Sequence, residues 1–497
     1  MDRFQNFSLD LGLKGKFRLN RTWNQNYVMG SILFCLPGIY LAITGLGAGG
    51  STASAQHVVS TASAITFGLY GLSGWLGGTI LNLVKPKLII MFAATGYPIY
   101  IGSLWYLDRT GHVWFAYLAG AWLGLTAALL WTAAGFIQFA YANEDEKGRF
   151  ISWQWALTSL GGTVGSFIAF GINFHATETR TTDTLYTVFI IIQCMAILLS
   201  LFFIVNPKHV TRDDGTHIAI FKHTSIMIES KRLMLLFTDW KVWVMIPGIF
   251  VAEMSLVLSS VINAYTYNLR TRSLNNACFQ LIMIPSPLIL SAIMDTGFIK
   301  SRRMRGIVGT TVLGIVTFAG SAGAIAWVVT NNVDRTPRNV DWTDSNFGPG
   351  FVIYLLQAVI YGTYQICVQW VLAALTNDPD TCSRYAGLFK GTIGWGLMVA
   401  FIMDSQGVSF LHQLVFQFVL YVVGIFTLLM IIITQVRETN YFLEENVIVP
   451  HKFEELLTAE GVVTEEQMAN ERRKEQIAMQ IDEKGEIDLD IEEVLTV

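Results

Sequence analysis

A carboxyl group deep in an apolar segment is where this chain is best placed to do chemistry, and Glu253 is such a group. It lies twelve residues beyond Lys241, about 18 Å along a helix at 1.5 Å per residue. A charge in a bilayer interior is costly unless it meets a partner, water or a cavity. The carboxyl therefore reads either as a proton, cation or substrate site, or as a neutral, hydrogen-bonded group in helix packing. Lys390 follows Arg384 by six residues, about 9 Å into its own segment, a depth from which a long side chain reaches the interface by snorkelling. Gln357, Tyr361, Gln365 and Gln369 recur every four residues and share a helical face, with Tyr354 and Tyr364 nearby. Such a stripe either lines an aqueous substrate path or joins helices through hydrogen bonds of about 1 kcal/mol or less each. Trp131, Gln138 and Gln154 are weaker candidates of the same kind. Proton movement, ion pairing and solute binding are the chemistry on offer. The sequence carries no Walker motif, zinc spacing or nucleophile elbow, and no His forms a motif with a neighbour, so neither an enzyme nor an ATP-driven pump is expected, and no cofactor, metal or nucleic acid.

The elements that hold these residues are about twelve apolar runs, each long enough to cross roughly 30 Å of hydrocarbon. They are Tyr27 to Ala48, His57 to Val84, Leu88 to Leu107, His112 to Tyr141, Phe150 to Asn173 and Leu185 to Val205, then Val242 to Thr266, Leu274 to Gly297, Ile307 to Thr330, Gly350 to Thr376, Tyr385 to Met403 and Phe410 to Thr434. The chain is 53% hydrophobic and 14% charged, with a mean hydropathy of +0.47, which excludes an ordinary soluble protein and makes the lipid bilayer its first partner. Glycines such as Gly161, Gly162 and Gly165, or Gly391, Gly394 and Gly396, read as points of close helix approach rather than phosphate loops.

From Leu443 onward the chain carries 16 acidic and 5 basic residues. The acidic charge thus belongs to the tail, and the part before it is basic. Lys and Arg near membrane segments stay on the cytoplasmic side. Alternate connections hold 19 and 6 of them, which predicts both termini in the cytoplasm, in the plasma membrane or an endomembrane. The expected organisation is a cytoplasmic arm (1–26), a first six-helix bundle (27–205), a cytoplasmic linker (206–240), a second bundle (241–434) and an acidic tail (435–497). The tail is expected to be solvated and largely disordered with a helix around Thr464 to Gln480, or else to bind a protein partner.

Two connections repeat. Asn143-Glu144-Asp145-Glu146-Lys147-Gly148-Arg149-Phe150 and Asn377-Asp378-Pro379-Asp380-Thr381-Cys382-Ser383-Arg384-Tyr385 each read Asn, acids, then Arg-aromatic, six helices apart and on the same side. This is the mark of two six-helix bundles related by an axis along the membrane normal, the all-α architecture of a major facilitator protein. Asp295 with Lys300, Arg302, Arg303 and Arg305 forms an acidic-plus-basic loop after the eighth run, expected to lock against the start of helix five near Arg149. Arg384 is expected to pair within its own loop or with the opposite bundle. The first-half counterpart of the Asp295 loop has Asn82 with only Lys85 and Lys87, so a second lock is expected to be weak or absent.

Thr95-Gly96-Tyr97-Pro98-Ile99-Tyr100-Ile101-Gly102-Ser103-Leu104-Trp105, Leu130-Trp131-Thr132, Lys147-Gly148-Arg149, Asn268-Leu269-Arg270-Thr271-Arg272-Ser273-Leu274-Asn275-Asn276, Ala374-Leu375-Thr376-Asn377-Asp378 and Arg384-Tyr385-Ala386-Gly387-Leu388-Phe389-Lys390-Gly391 together resemble the uncoordinated-93-like (Unc-93-like) branch of the major facilitator superfamily, especially its fungal members. The resemblance implies twelve spanning helices, a cavity-lining helix ten and membrane transport of a small solute or ion. It equally allows a non-transporting regulator or escort of another membrane protein. Where the family usually carries a Gln before the glycine of helix four, this chain has Ala133-Ala134-Gly135, so one polar contact of the central cavity is expected to be missing.

Overall fold

The computed structural model describes residues 14–44, 56–173, 183–221, 224–459 and 464–484. The first thirteen residues of the arm, residues 45–48 of the expected first run and the tail beyond 484 lie outside the described residues. In lipid a backbone satisfies its own polar groups only as helix or closed barrel, and the apolar runs are mostly helical over their described residues. Among the described residues ten stretches are long and apolar enough to cross a membrane: Val58–Val84, Pro86–Thr110, Trp114–Ala140, Asp183–Phe203, Trp240–Thr266, Leu269–Met294, Arg302–Thr330, Phe347–Ala374, Pro379–Ser405 and Phe410–Gln435. Two further stretches stand where the first and fifth runs were expected. One is Thr22–Leu33, continued through a wide turn at Phe34–Gly38 into Ile39–Thr44; the other is Lys147–Asn173. All are named below by ordinal place, the first to the twelfth span.

Several spans are interrupted, each for a local reason. Pro37 sits in the π turn of the first, where its missing N–H is tolerated. The third and eighth each restart at a proline-led helix or a tight turn, at Gly96 and Pro285. The seventh breaks between Trp240–Val251 and Met254–Thr266, so that Glu253 occupies the first position before the second piece with φ −112° and ψ 0°. Here Ala252 N–H donates to Ile249 O and Leu256 N–H to Glu253 O, both at i→i+3 spacing, the tightened geometry that marks a hinge.

The halves of the chain meet along two seams, the second span on the eleventh and the fifth on the eighth. On the first seam the contact is backbone to backbone. A Cβ on Gly74 would come within 2.5 Å of Gly391 Cα, one on Gly78 within 2.5 Å of Arg384 Cα and one on Gly394 within 2.7 Å of Gly71 N. No side chain fits at these three points, where dispersion between closely approaching backbones adds to side-chain contacts such as Trp75 with Thr392 elsewhere on the seam.

Outside the spans, the linker, the arm and the tail gather on one face, called here the linker face. The described part of the tail packs against the linker. Its helix Glu465–Lys484 places Ile477 and Ala478 against Ile220 of the linker and Ile448, and Arg212 donates to the carbonyls of His217, Ile218 and Ile448. His217 lies 3.0 Å from Glu475, and hydrogen bonds to Glu475 and Asp482 hold its imidazolium above the usual histidine range. The helix expected around Thr464 to Gln480 is present, and the apolar residues spaced along it seat it on the linker.

Candidate functional site

Glu253 and Lys390 are brought together at the centre of the molecule. The Lys390 ammonium donates to Glu253 Oε1 at 3.1 Å, lies 3.5 Å from Gln365 Oε1 and stands 4.2 Å from the centroid of the Trp131 ring. Its side chain is 3% exposed and that of Glu253 13%. Lys390 thus does not snorkel to the interface as its depth implied, because a carboxylate, an amide oxygen and an aromatic face lie closer than water does. Beside the pair is a cavity of about 60 Å3, to which the first to fourth spans contribute Tyr40, Phe67, Tyr70, Tyr97 and Trp131, and the second half Glu253 and Tyr361.

The polar stripe of the tenth span does not act as one face. Tyr361 lines the central cavity and Gln365 touches Lys390. Tyr354 and Gln357 line a separate small cavity among the seventh, ninth and tenth spans, where Gln357 donates to Gly320 O at 3.4 Å. Gln369 donates to the carbonyl of Gln365 in its own helix, and Tyr364 packs its ring 4.9 Å from Tyr421. A repeat of four advances about 40° beyond a full turn at each step, so Gln357 and Gln369 point about 120° apart. Gln138 and Gln154 are also away from the cavity. Gln138 donates to Gln154 at 2.6 Å and Gln154 to Asn26 at 2.9 Å, a polar link joining the fourth, fifth and first spans.

The linker face is closed by residues of both halves. Asp295 accepts hydrogen bonds from the backbone N–H groups of Gly148 (3.2 Å) and Arg149 (2.7 Å) and from the Trp370 indole (3.2 Å). Its contact with the fifth span is therefore made by the helix N-terminus rather than by the Arg149 guanidinium. Burial outweighs these hydrogen bonds and pushes the carboxyl up to about 6. Arg302 pairs with Glu144 at 3.0 Å, with both side chains buried, while Arg303 donates to Val436 O. The two copies of the repeated loop face each other, since Asn377 donates to Glu144 at 2.7 Å and Lys147 donates to the carbonyls of Ala373 and Thr376.

Arg384 takes its counter-charge from neither its own loop nor the opposite half. It pairs at 3.0 Å with Glu229, fully buried, on the linker helix Ile226–Thr238; its own loop supplies only the Thr381 hydroxyl at 3.1 Å. The same Glu229 accepts from Asn82 at 3.0 Å, and Asn82 in turn contacts Asp380 O and the Ser383 hydroxyl at the start of the eleventh span. The position expected to be weak is therefore occupied. Asn82 mirrors Asp295, and the missing carboxylate arrives from the linker. Glu229 was overlooked because it sits in a segment read only as polar; an acid beside Ile226, Met227 and Ile228, following Ser225 as helix cap, was the available signal. On the far face, Asp404 pairs with Arg335 at 2.7 Å and accepts from Ser60 at 3.0 Å, and Asn276 of the eighth span donates to Ser166 of the fifth at 2.8 Å.

Apolar spans in two halves that close around a shared cavity define a multi-pass integral membrane protein of the major facilitator fold. A solved proton:xylose symporter of that superfamily superposes with a TM-score of 0.56 at 13% identity, over 82% of this chain and 95% of the symporter. The family model "Ion channel regulatory protein UNC-93" matches residues 56–432, and the chain belongs to that family. An uncharacterized membrane protein of Schizosaccharomyces pombe is 41% identical over 397 residues, covering 80% of this chain and 81% of the relative. UNC93-like protein 1 of Arabidopsis thaliana is 31% identical over 434 residues, covering 86% and 93%.

Proposed function

We propose that this protein is a secondary transporter that carries a small solute or ion by alternating access, with its linker face and both termini in the cytoplasm. The observation that carries this reading is the Glu253–Lys390 pair set beside a cavity to which both halves contribute. Taking two opposite charges out of water costs several kcal/mol per ion before their attraction is counted. A static scaffold gains nothing from that arrangement, whereas a carrier uses ionisable groups that change exposure with each cycle. The hinge at Glu253 and the separate closures on the two faces support the same reading. The basic excess of 19 against 6 between alternate connections supports the orientation.

Reconstitution in liposomes tests it. A solute screen by thermal stabilisation of the purified protein, followed by flux, is expected to find a carried solute. Glu253→Gln is expected to abolish proton-driven accumulation, and Tyr361→Phe to weaken solute binding. Normal proton-driven flux in folded Glu253→Gln protein would remove Glu253 from coupling. The family description names channel regulation; a wild type that carries no screened solute, while all variants keep regulating a partner, would establish that competing role.

A further inference from the structure

We infer that the central cavity selects compact ammonium ions, and that Lys390 is a tethered ammonium which the substrate displaces from Glu253; this rests on the transport reading above. The cavity wall carries the Glu253 carboxylate, while the Lys390 ammonium stands behind it and is the more deeply buried of the two. Six aromatic residues, Tyr40, Phe67, Tyr70, Tyr97, Trp131 and Tyr361, share the wall with aliphatic side chains and the Thr66 hydroxyl, and Glu253 is its one charged group. Ring faces are negative and attract cations. An anion entering here would meet a carboxylate and ring faces, all of the wrong sign. A sugar would need many fixed polar partners, where this wall offers phenol hydroxyls, the Thr66 hydroxyl, the Trp131 indole and one carboxylate.

Lys390 shows which chemistry the site accepts. Its ammonium already holds the three contacts a free amine would seek: the carboxylate at 3.1 Å, the amide oxygen of Gln365 at 3.5 Å and the Trp131 face at 4.2 Å. Size narrows the class. A cavity of about 60 Å3 has room for about four to six waters, hence for a cation of about that many heavy atoms. Butylammonium has the composition of the Lys390 side chain beyond its Cα and serves as the probe.

Charge balance then dictates the exchange. A second ammonium beside Lys390 would leave an uncompensated positive charge in a region of low dielectric. As the substrate ammonium takes over Glu253, Lys390 therefore gives its proton to water on the side to which the cavity is open, and one cation is exchanged for one proton. The titratable groups turned towards the pair from neighbouring spans are the phenols of Tyr70, Tyr97 and Tyr361.

The test is calorimetry on the full-length protein in nanodiscs with butylammonium chloride, using 1-butanol and sodium butyrate as neutral and anionic controls in buffers of different ionisation enthalpy. Butylammonium is expected to bind with release of about one proton, so that affinity rises by up to tenfold per pH unit between about pH 6 and 8. Trp131→Leu is expected to weaken it about tenfold. Because Glu253→Gln alone leaves Lys390 unpaired and endangers folding, the neutral double variant Glu253→Gln/Lys390→Gln is the stricter case and is expected to lose butylammonium binding. Absence of butylammonium binding to the wild type, equal binding of butyrate or butanol, or unchanged binding in the folded double variant would each overturn the inference. Flux of an anion or a sugar without butylammonium binding would sink the ammonium class and leave transport standing. Butylammonium binding without flux of any solute would keep the class and remove transport.

Discussion

Asp295 is a carboxyl that prefers its proton. Closure of the linker face buries it against the fifth span, and its value there is pushed up to about 6 from an ordinary 3.8. With the face open it returns to water and to the ordinary value. The closed state thus binds the proton more tightly, and its advantage is complete below about pH 4, declines as pH rises through about 6, and is gone above about 7. Cysteine accessibility of the linker-side vestibule is expected to increase between pH 4 and 7. In Asp295→Asn, which carries no charge and keeps an acceptor for one of the Gly148 and Arg149 amides, accessibility is expected to be independent of pH. A titration of accessibility in that variant identical to wild type would show that Asp295 takes no part in the gate. The shift of about two units caps the effect at about a hundredfold in the closed-to-open ratio.

Among the elements, the linker helix has the most specific task, because Glu229 is the buried counter-charge of Arg384 and a partner of Asn82. Breaking a buried pair by removing one member costs about 3–5 kcal/mol. Glu229→Gln is expected to lower thermal stability or to spring the linker face open. Asn82→Asp in the same chain restores an acid within reach of Arg384 and is expected to recover most of the loss. Failure of this rescue, with both proteins folded, would disprove that the linker substitutes for the absent acid. The pairing was illegible in sequence for a plain reason: apolar periodicity marks where helices lie, but not which polar residue from a distant loop folds back onto them. The same holds for Lys390. Its depth along its own helix was readable, while the carboxylate that retains it comes from a hinge in another span, and hinges of this type leave only faint marks such as the upstream Pro247. What was legible was whatever repeats: the apolar runs, the twin loops around Glu144 and Asn377, and the small residues at close crossings.

At the scale of the whole molecule, the described parts of the arm, the linker and the tail lie on one face, where the linker packs against both of the others. Tags at either terminus or within 206–239 are expected to be reached only from the cytoplasm, and a tag within 331–348 only from the outside or a lumen. Protease protection of the amino terminus in right-side-out vesicles is the expected result, and its digestion there would reverse the orientation.

The glycine seam between the second and eleventh spans has a mechanical consequence. Gly74 and Gly78 lie in the half of their span that leads to the linker face, as do Gly387 and Gly391 in theirs, while Gly71 and Gly394 meet near the middle. Where the backbones touch at these glycines, the contact permits rolling but not separation, so it serves as the fulcrum of any rocking motion. Placed off centre, it makes the two lever arms unequal. The mouth far from the linker sweeps the wider arc, while the linker-side closures part by short displacements, a distance that single hydrogen bonds such as those of Asp295 can govern.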